Sequence, residues 1–147
     1  MTQIADVMTR GVRTLAPYET IAAAAKAMEE LDVGAIPVCE GERLLGVVTD
    51  RDLVIRGVAQ ERPVDATPLS DVMTADPTCC YEDQTVEEAA EQMREQQIRR
   101  LPIIDRQNQL VGMLSLGDLA VKAGEDAAAE TLEQVSEPAA PARPVSD

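Results

Sequence analysis

The chain has 147 residues, 45% of them hydrophobic and 27% charged, which suits one ordinary domain or two small units sharing a core. Its formal net charge is −14, from 13 basic and 27 acidic residues; nucleic acid and anionic membrane, which need a basic footprint, are excluded as general partners, although an anion in a locally basic cleft is not. Histidine, phenylalanine and tryptophan are absent, which removes the commonest general base and metal ligand and leaves Tyr18 and Tyr81 too few to form a base-stacking platform.

The N-terminal "MTQIADVMTR" lacks the apolar core of a signal peptide, and no later run approaches the roughly 18 apolar residues of a membrane span. The expected location is cytoplasmic. After "DVMT" (Asp6–Thr9) comes a short extended segment, "VRTL". A helix is predicted over Thr20–Asp32, with Thr20 as N-cap and Ile21, Ala24, Ala25 and Met28 on one face. Two strands follow, "AIPVC" and "LLGVVT", joined by a polar turn, and a second helix starts near Asp50. The stretch "AQERPVDATPLS" carries Pro63 and Pro68 and reads as a linker without a long element.

The order then repeats. "DVMT" returns at Asp71–Thr74, followed by the extended "TCCY" and a helix predicted over Thr85–Gln97. Thr85 and Glu88 make a capping box, and Val86, Ala89, Ala90 and Met93 share a face. The strands "LPIID" and "LVGMLS" precede a helix starting near Leu116. The two copies align at a constant shift until the strand–strand turn, where "GER" faces "RQNQ" and one residue has been added. Insertion in a polar turn is tolerated. The tail from Gly124 is rich in Ala, Glu and Pro; a helix is expected in its first part and disorder at its end, and its composition fits a solubilising tail better than a docking segment.

The predicted unit is β-α-β-β-α, and the fold class is α/β (α+β). The boundaries are residues 1–60 for the first repeat, 61–70 for the linker, 71–123 for the second repeat and 124–147 for the acidic tail. Each unit is near the lower size limit for independent stability, so the two are expected to bury their apolar faces against each other. Cys39, Cys79 and Cys80 form no CxxC pair and read as small apolar residues in a reducing compartment. There is no HExxH, GxSxG, GxxxxGK[ST] or GxGxxG, and no activated nucleophile or base is visible. The chain is not expected to be an enzyme or to bind a metal.

Thr49-x-x-Asp52 and Ser115-x-x-Asp118 occupy the same place in both copies, where a strand gives way to a helix. One reading is a capping box that starts the helix, with Asp in place of the usual Glu. The other is a ribose site: a carboxylate in such a crevice accepts hydrogen bonds from both hydroxyls of a ribose, the hydroxyl residue assists, and apolar strand residues sandwich a purine. A phosphate also needs positive charge, which Arg99 and Arg100 in "IRRLPII" supply; the first copy has Gly34 and Ala35 there.

The two "DVMT" segments, "GAIPVC" with "GVVTDRDL", and "RRLPIID" with "GMLSLGDL" resemble a tandem pair of cystathionine-beta-synthase (CBS) domains, the arrangement called a Bateman module. The resemblance covers about Ile4–Ala123 and is to small stand-alone bacterial CBS-pair proteins. It implies two repeats packed through their sheets about a pseudo-two-fold axis, with clefts that bind adenosine derivatives. By that resemblance Asp52 and Asp118 hold ribose, with Thr49 and Ser115 beside them. Phosphates meet Arg99, Arg100 and Arg51. Adenine lies among Ala24, Ile36 and Pro37, or Ala89, Leu101 and Pro102. The implied role is a regulatory, signal-transducing module that requires no cofactor and senses AMP, ADP or ATP, or NAD or S-adenosylmethionine. The alternative is a ligand-free dimeric interaction or stress-response protein in which the two motifs only cap helices. A homodimer is expected, with Met28 and Met93 as candidate contacts on exposed helix faces, together with an unidentified protein partner.

Overall fold

A computed structural model describes residues 2–123; the tail expectations fall outside them. Two compact units are present, and their limits differ from those of the sequence repeats. One is Arg13–Pro77. The other joins the N-terminal segment up to Val12 to the chain from Thr78 onward.

In the Arg13–Pro77 unit, helix α1 (Ile21–Leu31) begins at Thr20, whose side chain accepts from the Ala23 N–H, and ends at Asp32 in the left-handed conformation. Strands β1 (Ala35–Glu40) and β2 (Arg43–Thr49) pair antiparallel through a tight turn with Gly41 at φ +62°. This positive φ is readily adopted by glycine. Helix α2 (Asp50–Asp52) runs on into a π-helical turn, Leu53–Gly57, and a 3-10 turn, Val58–Gln60. The linker holds one further 3-10 turn, Leu69–Asp71, which leads into the two-residue strand β3 (Thr74–Ala75) on the free edge of β2.

The other unit repeats this plan. Strand β4 (Cys80–Tyr81) lies parallel to β5 (Arg100–Ile104), which pairs antiparallel with β6 (Leu110–Ser115). Helix α3 (Val86–Gln96) carries the expected Thr85–Glu88 capping box and ends at Gln97, also left-handed. Helix α4 (Leu116–Asp118) continues into a π-helical turn, Leu119–Ala123. The added turn residue is absorbed by an Asx turn, in which Asp105 accepts from the N–H groups of Gln107 and Gln109. The outer ladders match as well. Leu15 bridges Val38 as Cys80 pairs with Ile103, and Thr9 bridges Met113 as Thr74 pairs with Val47. Even the register shift recurs, at Val38/Cys39 and at Ile103/Ile104.

The "DVMT" segments are exchanged between repeats. Ile4 and Val7 enter the core built by Val86, Ala89, Met93, Leu101, Ile103 and Leu114. Leu69 and Val72 occupy the same places in the core of Ile21, Ala24, Ile36, Val38 and Val48. All four are at most 2% exposed, and each burial stabilises by about 1.5–3 kcal/mol. Two strand glycines make room for the exchanged backbone. A Cβ on Gly46 would stand 2.5 Å from the Thr74 carbonyl oxygen, and one on Gly112 would stand 2.8 Å from that of Thr9.

Two expectations about helix faces are corrected. Met28 and Met93 are 7% and 0% exposed and belong to the cores, because they continue the apolar stripe of Ile21–Ala24 and Val86–Ala89–Ala90. Ala25 is exposed; Ala27 is the buried residue beside Met28. Cys39 and Cys80 are buried and Cys79 is half-buried, all as free thiols. Burial pushes the Cys39 thiol up to about 11; burial, then the neighbouring Cys79 and Glu88, does the same for Cys80. No helix among the described residues is long and apolar enough to cross a membrane.

Candidate functional site

Each strand-to-helix junction closes on itself by a reciprocal pair of hydrogen bonds. Thr49 Oγ1 accepts from the Asp52 N–H at 3.0 Å, and Asp52 Oδ2 accepts from the Thr49 N–H at 3.0 Å. Ser115 Oγ accepts from Asp118 at 3.1 Å, and Asp118 Oδ2 accepts from Ser115 at 3.0 Å. Both motifs are therefore capping boxes with aspartate in the glutamate position. This does not exhaust the carboxylates, since each offers about four acceptor positions. The remaining oxygens have different neighbours. Asp118 Oδ1 accepts from the Thr9 hydroxyl at 3.3 Å. Asp52 Oδ1 lies 3.9 Å from Arg56 Nε, and Arg56 Nη1 donates to the Met73 carbonyl at 3.1 Å.

Strand register decides what else stands beside these boxes. Arg100 is the cross-strand partner of Ser115, and the Arg99 carbonyl accepts from the Leu116 N–H at 3.1 Å. Both arginines are exposed, so a basic pair borders the Ser115–Asp118 box. In the other unit Ala35 is the cross-strand partner of Thr49, and the Gly34 carbonyl accepts from the Asp50 N–H at 2.9 Å. Arg51 is exposed at this second box, beside Asp50, whose Oδ1 accepts from the Arg51 N–H at 2.8 Å.

The six apolar site residues divide into two sets. Ala24, Ile36, Ala89 and Leu101 lie in the two cores and are at most 1% exposed. Pro37 and Pro102 are also buried, but strand alternation turns them to the opposite sheet face, across from Val47 and Met113. Three residues at the boxes escaped the sequence reading: Thr9, Arg56 and Asp50. The repeated "DVMT" pointed to Thr9, and aligning the copies pointed to Asp50, which faces Leu116. Neither signal says what the side chain touches.

At the far end of β5, a cavity of about 250 Å3 is lined by Tyr81, Glu82, Asp83 and Arg106, among others. Its arginine is engaged: Arg106 pairs with Asp83 at 2.8 Å and lies 3.9 Å over the Tyr81 ring. No group of three or more acidic or cysteine side chains placed to hold a metal occurs among the described residues.

The family description "CBS domain" matches residues 4–57 and 69–124, both repeats and nearly all of the described chain. The chain belongs to the CBS domain family. As a tandem CBS pair it is 43% identical over 137 residues to the CBS domain-containing protein YhcV of Bacillus subtilis, covering 92% of this chain and 96% of that one. It is 33% identical to Hypoxic response protein 1 of Mycobacterium tuberculosis, covering 95% and 98%. The crystal structure of Hypoxic Response Protein I with two coordinated zinc ions superposes with a TM-score of 0.75 at 35% identity, covering 82% of this chain and 98% of that one. That of CBSX2 in complex with AMP gives 0.74 at 26% identity, covering 84% and 96%. These relatives are small CBS-pair proteins matched over nearly their whole length. The inosine-5'-monophosphate dehydrogenase of Methanocaldococcus jannaschii is matched over only 22% of its own.

Proposed function

We propose that this CBS pair is a non-catalytic regulatory module that binds an adenine nucleotide, with Asp118 and Ser115 on the ribose and Arg99 and Arg100 on the phosphate. The observation that carries the reading is the pairing of Arg100 with Ser115, which brings a cationic residue to the same junction as the Asp118 carboxylate. The AMP complex of CBSX2 supports the choice of ligand class. AMP, ADP and ATP fit better than S-adenosylmethionine, which carries no phosphate for the two arginines; NAD, with its diphosphate, stays in the candidate set. In the other unit Asp52 and Thr49 form the corresponding ribose set, and Arg51 follows Asp50 there in place of an arginine pair. Pro37 and Pro102 are the apolar residues we assign to adenine, in preference to the core residues Ala24, Ile36, Ala89 and Leu101. The proposed assembly is a homodimer that passes its signal to a protein partner. Val54, Ile55 and Val58, exposed on one helical run, support a self-association surface; a sedimentation mass near 15.8 kDa would remove it.

The closed capping boxes favour one second reading, in which the motifs only start helices and the protein works without ligand. Asp118→Asn separates the two. Asn retains some capping ability but lacks the charge, and hydrogen bonds to a charged group are worth about 1.5–3 kcal/mol each. Calorimetric affinity for AMP is expected to fall at least about ten-fold, with little change in the melting temperature of the unliganded protein. A large drop in melting temperature with unchanged affinity establishes the capping role alone.

A further inference from the structure

We infer that the two junctions accept different 5′ substituents: the one at Asp118 takes a phosphorylated adenosine, the one at Asp52 an adenosine with a neutral or cationic 5′ group, and Asp50 makes the difference. The inference rests on the ribose reading above.

Equivalent backbone hydrogen bonds define matching positions in the two units. Leu116 N–H donates to Arg99 O, and Asp50 N–H donates to Gly34 O. Asp50 therefore stands where the other unit has Leu116, and Gly34 where it has Arg99. The two differences are coupled in space. A Cβ on Gly34 would lie 3.0 Å from Asp50 Oδ2, so the present Asp50 carboxylate stands directly beside position 34 and would have to give way slightly to a side chain there. The hydrogen bond from the Arg51 N–H to Asp50 Oδ1 holds the carboxylate there.

The chemical consequence follows from charge. At the Ser115–Asp118 junction the flanking positions are held by Arg99, Arg100 and the apolar, buried Leu116. At the Thr49–Asp52 junction they are Gly34, Ala35 and a second carboxylate, Asp50. A phosphate next to Asp50 meets a like charge at short range, which selects against it. A hydroxyl donates to the same carboxylate, and a sulfonium or ammonium is attracted to it. Arg56 does not offset Asp50, because it is engaged by Asp52 and the Met73 carbonyl. Arg51, where the other unit has Gly117, is the residue that would oppose the inference.

The test is calorimetry on the full chain with AMP, adenosine and S-adenosylmethionine as probes. The expected result is one AMP per chain, weakened at least about ten-fold by Asp118→Asn, with adenosine or S-adenosylmethionine filling a further site. Asp50→Leu, which copies the other unit, should raise AMP affinity at that further site about ten-fold or more and move the AMP stoichiometry towards two. Asp50→Asn, which keeps size and hydrogen bonding, should shift it the same way and serves if the leucine variant does not fold. Two equivalent AMP sites in the unaltered protein, one of them lost in Arg51→Ala, would overturn the inference while leaving the ribose reading intact. So would an AMP isotherm unmoved by Asp50→Asn while adenosine still binds. If none of the three probes binds, the ribose reading fails and takes this inference with it.

Discussion

The Thr9 hydroxyl donates to Asp118 Oδ1 at 3.3 Å, across 109 positions of sequence. The first "DVMT" segment thereby reaches the junction motif of the second repeat, and the backbone of Thr9 is held there by reciprocal bonds with Met113 of 2.8 and 2.9 Å.

Thr9→Val removes the hydroxyl and keeps the shape and the backbone bonds. Folding stability should fall by no more than about 1 kcal/mol, because the bond is long and exposed. If Asp118 is a ribose ligand, AMP affinity should change several-fold, as the carboxylate loses its positioning partner. Urea denaturation and calorimetry on one preparation read both quantities.

The strand glycines should tolerate no side chain. Gly46→Ala and Gly112→Ala place a Cβ 2.5 Å and 2.8 Å from carbonyl oxygens of the exchanged segments, and each should cost about 1–3 kcal/mol by overpacking. Gly117→Ala is the control: its nearest neighbour is Ser115 Oγ at 3.5 Å, and alanine favours the helical backbone by up to about 1 kcal/mol. Denaturant midpoints for the three variants should order accordingly.

Cutting the chain at its sequence repeats should not yield a folding unit. A fragment of residues 1–60 lacks Leu69 and Val72, which are fully buried in the core of the Arg13–Pro77 unit. It also carries Ile4 and Val7 without the core they enter. A fragment of residues 13–77 keeps Leu69 and Val72. Its amide spectrum should be the better dispersed of the two, and the reverse order would contradict the exchange.

The capping box of α3 carries a pH signature. The Thr85 backbone N–H, then the side chains of Gln84 and Thr85, hold the Glu88 carboxyl below its usual value of 4.5. A depressed folded pKa contributes stability above the unfolded value and loses it as pH falls through the folded one. Glu88→Ala should therefore flatten the acid limb of the melting-temperature profile below about pH 4.5 and lower the plateau above it. Parallel profiles for the two proteins would remove the assignment.

The helix ends were legible because their signals are local. Thr20 and Thr85 cap within three residues, and the apolar stripes of α1 and α3 recur at helical spacing. The two hairpins were legible for the same reason, through apolar runs broken by short polar turns. The junction motifs could be found but not interpreted: the same four residues make a capping box and offer a carboxylate, and the local geometry is identical for both uses.

By itself the sequence determined the duplication, the helix–strand–strand–helix order of each repeat and the approximate bounds of α1, α3 and the hairpin strands, since each of these is written within a few residues of where it acts; the extended "VRTL" segment contributes only a single bridge, Leu15 to Val38, rather than a strand. Only the tertiary structure decided which repeat each "DVMT" segment completes. Gly46 and Gly112 open equivalent grooves, and Ile4–Val7 and Leu69–Val72 are near-equivalent inserts. Pairing within a repeat or between repeats therefore satisfies the same apolar pattern, and the long-range contacts break the tie. The tertiary structure also decided that Arg100 faces Ser115 and that Asp50 lies against Gly34. Cross-strand register and the direction of a side chain depend on partners that lie apart in the chain, and those two contacts give the junctions their different charge.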